Sequence, residues 1–169
     1  TGAAKDPVSA WAESLDAQRE ARTIESAWRD GSLATERLLR RFLERYPADP
    51  LARAMRLRLA WLRIQSRELE EAERLIQDAA RTAAGVDLDT VQVLRASLLA
   101  RRGQPAVALA HLREMGGRLV DVETRELWAT EAVKVAFLAH SDDAAVTFML
   151  AWRTVVADED RVGLHERLQ

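Results

Sequence analysis

The chain has 169 residues, a mass of 19.0 kDa and a formal net charge of −2 at pH 7. Its length suits one domain or one array of small repeats, and its charge argues against a protein that coats DNA. The sequence holds no cysteine, which excludes disulfides, thiolate zinc sites and cysteine nucleophiles. No apolar run approaches the roughly 18 residues that a transmembrane helix needs.

The composition predicts an all-α protein. Alanine, leucine and arginine are strong helix formers, and together they make up 76 of the 169 residues. Only four prolines and seven glycines interrupt them. Arginine outnumbers lysine by 23 to 2. That bias reflects either a GC-rich gene or a use for guanidinium groups, which pair with carboxylates through two parallel hydrogen bonds.

Capping residues, prolines and glycines divide the chain into eight helices and the start of a ninth. Asp6-Pro7 and Asp49-Pro50 each place a capping acid before a proline in the first helical turn. Gly31 and Gly103 supply left-handed stops. The predicted helices cover about 7–30, 32–46, 50–66, 68–84, 88–102, 104–115, 122–140 and 141–156, and a ninth begins near 158.

The predicted helices repeat in pairs. Gly31, Arg67 and Gly103 are spaced 36 residues apart. Small residues recur at the same offset, Ala60 with Ala96 and Ala72 with Ala108. The predicted units are 6–46, 49–84, 87–115 and 122–156, followed by the start of a further helix in 158–169. Paired helices with a period of roughly 34 to 40 residues are typical of an α-solenoid, because one hairpin cannot bury its apolar face alone.

Residues 96–115, within the third unit, resemble a tetratricopeptide repeat. The match consists of the small residue Ala96, the turn residue Gly103, the small residue Ala108 and the apolar residue Leu112. The resemblance implies a right-handed superhelical stack of about four antiparallel helix hairpins. In that family the first helix of each hairpin lines a concave groove, and the usual role is non-enzymatic protein binding.

The other units depart from this pattern. Arg67 replaces the turn glycine of the second unit, and Glu36 and Thr147 stand where the first and fourth units are expected to have alanine. The resemblance therefore covers most of the chain and is most specific in the middle.

A second resemblance concerns residues 42–52, Phe-Leu-Glu-Arg-Tyr-Pro-Ala-Asp-Pro-Leu-Ala. This segment is similar to the inter-repeat segment of bacterial envelope proteins, which include outer-membrane assembly lipoproteins, Tol-Pal accessory proteins and lipoprotein activators of penicillin-binding proteins. It implies a periplasmic or outer-membrane-associated location, with room for a lipid anchor upstream of residue 1, and leaves the cytoplasm as the alternative. The start at Thr1-Gly2, without an initiator methionine, predicts a trimmed or processed protein.

No catalytic motif stands out. The sequence lacks a glycine-rich phosphate loop, Gly-x-Ser-x-Gly and His-Glu-x-x-His. His111, His140 and His165 each lack a second metal ligand one helical turn away. Asp142-Asp143 and Asp158-Glu159-Asp160 are expected to complement helix dipoles. We therefore expect no catalytic residue, no metal and no cofactor.

The third predicted helix carries a basic stripe. Arg53, Arg56, Arg63 and Arg67 fall within an arc of about 80°, taking about 100° per residue. Two interpretations remain open. The stripe is either a solvated face, neutralised in part by the acidic run Glu68–Glu73, or a surface for an acidic peptide or a carboxylate. Any partner site is expected to involve Arg53, Arg56, Arg58, Arg63 and Arg67.

Two further features bear on the site. Arg58 falls among apolar residues, so it should be buried with a partner or point into a groove. Five tryptophans recur about once per unit, which favours packing between hairpins over exposed ligand anchors. They are Trp11, Trp28, Trp61, Trp128 and Trp152.

The sequence predicts a non-enzymatic scaffold for protein–protein interaction, within a bacterial envelope assembly. One alternative is a regulatory domain of a larger cell-wall enzyme or enzyme activator. The other is an arginine-lined RNA-binding solenoid, against which the net charge and the single tyrosine argue, since RNA sites usually add stacking aromatics.

Overall fold

The computed structural model describes the backbone of residues 7–166 and the side chains of residues 12–154. Eight α-helices and their connections make up this part of the chain, which forms no strand, so the predicted all-α class is confirmed. The helices are α1 (Pro7–Arg29), α2 (Thr35–Arg45), α3 (Ala52–Gln65), α4 (Leu69–Ala80), α5 (Val86–Arg101), α6 (Pro105–Met115), α7 (Val122–Leu138) and α8 (Asp142–Glu166).

The largest differences from the sequence prediction lie in α4 and α8. Helix α4 ends at Ala80 rather than near residue 84. The prediction of a separate ninth helix from residue 158 was wrong, because α8 runs unbroken from Asp142 to Glu166. No proline or glycine occurs between residues 142 and 162, so nothing there ends the helix. The predicted cap Asp6 and the last three residues of the predicted ninth helix lie outside the described residues.

Four turns share one backbone geometry. Gly31, Arg67, Gly103 and His140 have φ angles of 61°, 64°, 87° and 52°, and each is the second residue after an odd-numbered helix. In each turn the next residue donates its N–H to a carbonyl five residues earlier. The four bonds are Ser32 to Ala27 (2.9 Å), Glu68 to Arg63 (2.8 Å), Gln104 to Leu99 (3.1 Å) and Ser141 to Ala136 (3.0 Å). This is the Schellman arrangement, which closes a helix with one left-handed residue.

Helices pack mainly against their neighbours in the chain. Every consecutive pair from α1 to α8 is in backbone contact, and so are α3 with α5 and α5 with α7. No other pair of helices within residues 7–166 is in backbone contact. The small residues that carry the repeat are buried, as the pattern predicts: Ala60, Ala72, Ala96 and Ala108.

A close contact fixes the connection between α6 and α7. Trp128 is buried and donates from its indole Nε1 to the carbonyl oxygen of Leu112 at 2.7 Å. Its ring also packs edge-on against Phe148, with 5.4 Å between the ring centroids. A methyl group added at Gly116 would overlap the six-membered ring of Trp128, whereas one added at Gly117 would meet no atom within 4 Å.

We predict that Gly116→Ala lowers the free energy of unfolding by about 1–3 kcal/mol, because the buried Trp128 ring cannot shift freely. The measurement is urea denaturation followed by circular dichroism. Gly117→Ala is the matched control and should change stability by less than about 0.5 kcal/mol. Equal effects of the two substitutions would contradict the described packing of Trp128.

A second prediction concerns Arg67. A non-glycine residue in the left-handed region costs about 1–2 kcal/mol. Replacing it with glycine removes that cost, but the greater conformational freedom of glycine in the unfolded chain offsets part of the gain in stability. Arg67→Gly should therefore raise the free energy of unfolding by about 0.5–1 kcal/mol, and Gly103→Ala should lower it by a similar amount. The reverse signs in thermal or urea denaturation would show that the two turns do not share a conformation.

Candidate interaction surface

The structure separates the five arginines that the sequence assigned to one partner-binding surface. Arg53, Arg56, Arg58 and Arg63 lie within α3, whereas Arg67 lies in the turn after it. The five guanidinium groups differ in exposure and in partners. The predicted stripe is therefore not one uniform basic face.

Arg63 is buried, with 5% of its side chain exposed. It forms ion pairs with Glu36 of α2 and with Glu68, and its Nε lies 3.3 Å from Oε2 of Glu71 on α4. Arg40 of α2 joins the same group, 3.3 Å from Glu36 and 3.0 Å from Glu71. We call these five residues the Arg63 network. It connects α2, α3 and α4 through two cations and three carboxylates.

The Arg63 network corrects the expectation that Arg63 lies on an exposed face. Helical periodicity predicted the side of α3 on which Arg63 lies, but acidic residues of α2 and α4 pack against that side. Glu68 belongs to the acidic run that the sequence offered as a neutralising partner. For Arg63, that neutralising interpretation is the one the geometry favours.

Ionisation within the network follows from its contacts. Desolvation works to raise the pKa of Glu68, but the hydrogen bond from Arg63 and the charge of that residue outweigh it, and the pKa lies below its ordinary value. Desolvation works to lower the pKa of Arg40, but the hydrogen bond to Glu36 and the charge of Glu71 outweigh it, and the pKa is raised. Both groups therefore stay charged at neutral pH.

Arg53 and Arg58 are also paired with acids. Arg53 Nε lies 2.5 Å from Asp87 at the start of α5. Arg58 lies 2.6 Å from Glu25 of α1, and 18% of its side chain is exposed. Of the two expectations for Arg58, a buried pair or a position in a groove, the structure shows the acidic partner, but the side chain is only half-buried.

Arg56 and Arg67 are the two candidates without an ion pair to any residue among 12–154. Arg56 donates to the carbonyl oxygen of Pro47 at 2.5 Å. Arg67 is exposed in its turn. Whether a partner contacts any of the five arginines stays a prediction.

A cluster that sequence reasoning missed joins three odd-numbered helices. We define the tryptophan face as Trp28 of α1, Arg58 and Trp61 of α3, and Glu131 and Lys134 of α7. The two indole rings are half-buried and meet edge-on, with centroids 5.4 Å apart. Arg58 lies 5.6 Å from the centroid of Trp28, and Lys134 lies 5.4 Å from that of Trp61.

Glu131 holds the α3 and α7 sides of the tryptophan face together. It is 1% exposed, and its Oε1 accepts hydrogen bonds from Trp61 Nε1 at 3.1 Å and from Lys134 Nζ at 2.7 Å. A buried carboxylate needs such partners, because burial without them is costly. The only signal in the sequence was a rare lysine one helical turn after a glutamate. Nothing in the sequence connected these two residues to Trp61, which precedes Glu131 by 70 residues.

The remaining candidates divide between core and surface. Trp128 lies in the core as predicted, whereas Trp152 is exposed and the side chain of Trp11 lies outside the described residues. His111 is exposed, and the side chain of His165 also lies outside the described part. Among the residues described, no group of three or more histidines and acidic residues could hold a metal ion.

We predict that Arg63→Met lowers the free energy of unfolding by about 2 kcal/mol. The substitution leaves three carboxylates close together without their buried cation. Arg56→Met removes the same charge from an unpaired arginine on the same helix and should cost less than about 0.5 kcal/mol. Chemical denaturation of both variants checks this, and similar losses in the two would mean that Arg63 is not the centre of the network.

Comparisons with protein-family models, with curated proteins and with solved structures gave no match. Within the described residues, no helix is both long enough and apolar enough to cross a membrane.

Proposed function

We propose that this chain is a non-enzymatic, tetratricopeptide-like scaffold that binds another protein through the tryptophan face. A bacterial envelope assembly is the setting that the segment 42–52 suggests. The observation that carries the proposal is the pair of half-buried tryptophans, each with a cation against its ring.

The packing of the helices supports a stack of hairpins. Contacts between neighbours, together with α3 on α5 and α5 on α7, are what an array of paired helices produces when first helices lie side by side. The four Schellman turns at intervals of 36 or 37 residues mark one hairpin each. The tetratricopeptide resemblance places first helices on the concave groove, and the tryptophan face is formed by first helices.

The chemistry of the tryptophan face suits a protein ligand. Tryptophan and arginine are enriched among the residues that contribute most to binding at protein interfaces. Half-buried indoles are already held in place, so binding would cost little side-chain entropy. Arg58 and Lys134 are paired with Glu25 and Glu131, so an acidic group on the partner would share cations that are already positioned.

Arg58 is the one candidate arginine that lies in the tryptophan face. Arg53 and Arg63 contribute to the packing of α3 against its neighbours through their acidic partners. Arg56 and Arg67 are available for additional contacts with an acidic segment. The partner is therefore expected to be a protein or peptide with acidic residues beside an apolar anchor.

The proposal is tested by affinity capture from a lysate of the source organism, followed by measurement of the dissociation constant for the captured protein. Arg58→Gln should weaken that interaction by about tenfold or more, as substitution at a central interface residue usually does. Arg113→Gln is the matched control, because Arg113 is exposed on α6 and has no ion pair with the described residues. Nuclease treatment before capture separates a protein partner from RNA-mediated retention.

Unchanged affinity of the Arg58→Gln variant, with circular dichroism showing an intact fold, would contradict a role for the tryptophan face. Loss of capture after nuclease treatment would favour the arginine-lined RNA-binding alternative instead.

A further inference from the structure

Helix α8 carries apolar side chains on two opposite faces. One face packs into the core through Ala144, Ala145 and Phe148. The other face leaves Val146, Met149 and Leu150 between 51% and 60% exposed. A helix that is apolar all round is normally buried, so the outer face of α8 is expected to be covered.

The exposed apolar side chains concentrate near this helix. Of the eleven large ones among residues 12–154, six fall between residues 137 and 152: Phe137, Leu138, Val146, Met149, Leu150 and Trp152. Exposed apolar side chains that cluster in this way mark an interaction surface.

The outer face also carries one acid and one base that have no ion pair among the side chains of residues 12–154. At about 100° per residue, Asp142, Val146, Met149, Leu150 and Arg153 fall within an arc of about 100° on the side away from the core. Asp142 and Arg153 are both exposed, and neither forms an ion pair with the residues whose side chains are described. They are eleven residues apart, about 16 Å along the helix, so they cannot pair with each other within one chain.

We propose that a second copy of this chain covers the outer face of α8, in an antiparallel α8–α8 contact around a two-fold axis. The spacing of the residues along α8 is the reason for proposing a second copy of the chain. Asp142 and Arg153 are placed symmetrically about the midpoint between residues 147 and 148, and so are Val146 and Met149. A two-fold contact is self-complementary, so when one residue meets a second residue of the other copy, the second residue also meets the first in return.

In this register Asp142 of one copy faces Arg153 of the other, at both ends of the contact. Val146 of one copy faces Met149 of the other, and Leu150 lies beside them near the axis. Two apolar pairs are thus enclosed by two ion pairs, which is the usual arrangement of an apolar centre with a polar rim. The inference does not depend on the tryptophan face, which is formed by α1, α3 and α7.

The test is the oligomeric state of the 169-residue chain, measured by sedimentation velocity over a range of concentrations. The wild type should form dimers, and Val146→Glu should raise the dimer dissociation constant by at least about tenfold, equivalent to about 1.4 kcal/mol. Val107→Glu is the matched control, because Val107 lies on another helix, α6, and is similarly exposed, at 49%. It should leave the dissociation constant unchanged.

Charge reversal tests the register. Asp142→Arg and Arg153→Asp should each weaken the dimer, since each places like charges opposite one another. The double variant Asp142→Arg/Arg153→Asp restores opposite charges in a two-fold contact and should recover most of the affinity. Circular dichroism establishes that each variant is folded.

A chain that stays monomeric at every concentration would overturn the proposal, and so would a dimer that Val146→Glu leaves intact. A dimer that is weakened by Val146→Glu but not recovered by the double reversal would overturn the antiparallel register.

Discussion

The fold depends on one constraint, which is that a pair of helices cannot bury its apolar side chains without help from the next pair. Each of the three buried clusters draws on at least three consecutive helices. The first combines α1, α2 and α3, the second α3, α4 and α5, and the third α5 to α8. Helices α3 and α5 each belong to two clusters, so the burial of one unit is linked to the burial of the next.

Charged groups reinforce the same connections. The Arg63 network joins α2, α3 and α4, and the pair Arg53–Asp87 joins α3 to α5. Arg102 of the turn after α5 lies 2.7 Å from Glu73 of α4, and its hydrogen bond lowers the pKa of that carboxyl. Most of these pairs are partly exposed, so each contributes modestly, but together they select which helix faces which. The high arginine content thus has a structural use, independent of any partner.

The helices were predictable because their signals are local. Glycine stops, proline starts and the spacing of alanines all act within a few residues, and they located the eight helices and the turns at Gly31 and Gly103. The same local rules did not show that Arg67 and His140 would adopt the left-handed conformation of those glycines, since a Cβ atom makes that conformation costly. The surrounding hydrogen bonds impose it.

The candidate site was predictable only in part, because it depends on distance in space rather than along the chain. The isolated position of Arg58 among apolar residues pointed to a buried pair, although not to Glu25. The period of α3 placed Arg63 beside Arg56, yet the acids of α2 and α4 bury one and not the other. The spacing of Glu131 and Lys134 within α7 indicated a pair between them, but nothing in the sequence connected that pair to Trp61.

The hydrogen bond from Trp61 to Glu131 has a mechanical consequence. It joins α3 to α7, helices whose backbones are not in contact, and so it spans the intervening α5. Any motion that separates α3 from α7 must break a bond to a buried carboxylate, whereas a motion that brings them together need not. The two helices should therefore resist separation more strongly than approach. Because the indole of Trp61 makes this bond, its fluorescence should change when the bond breaks.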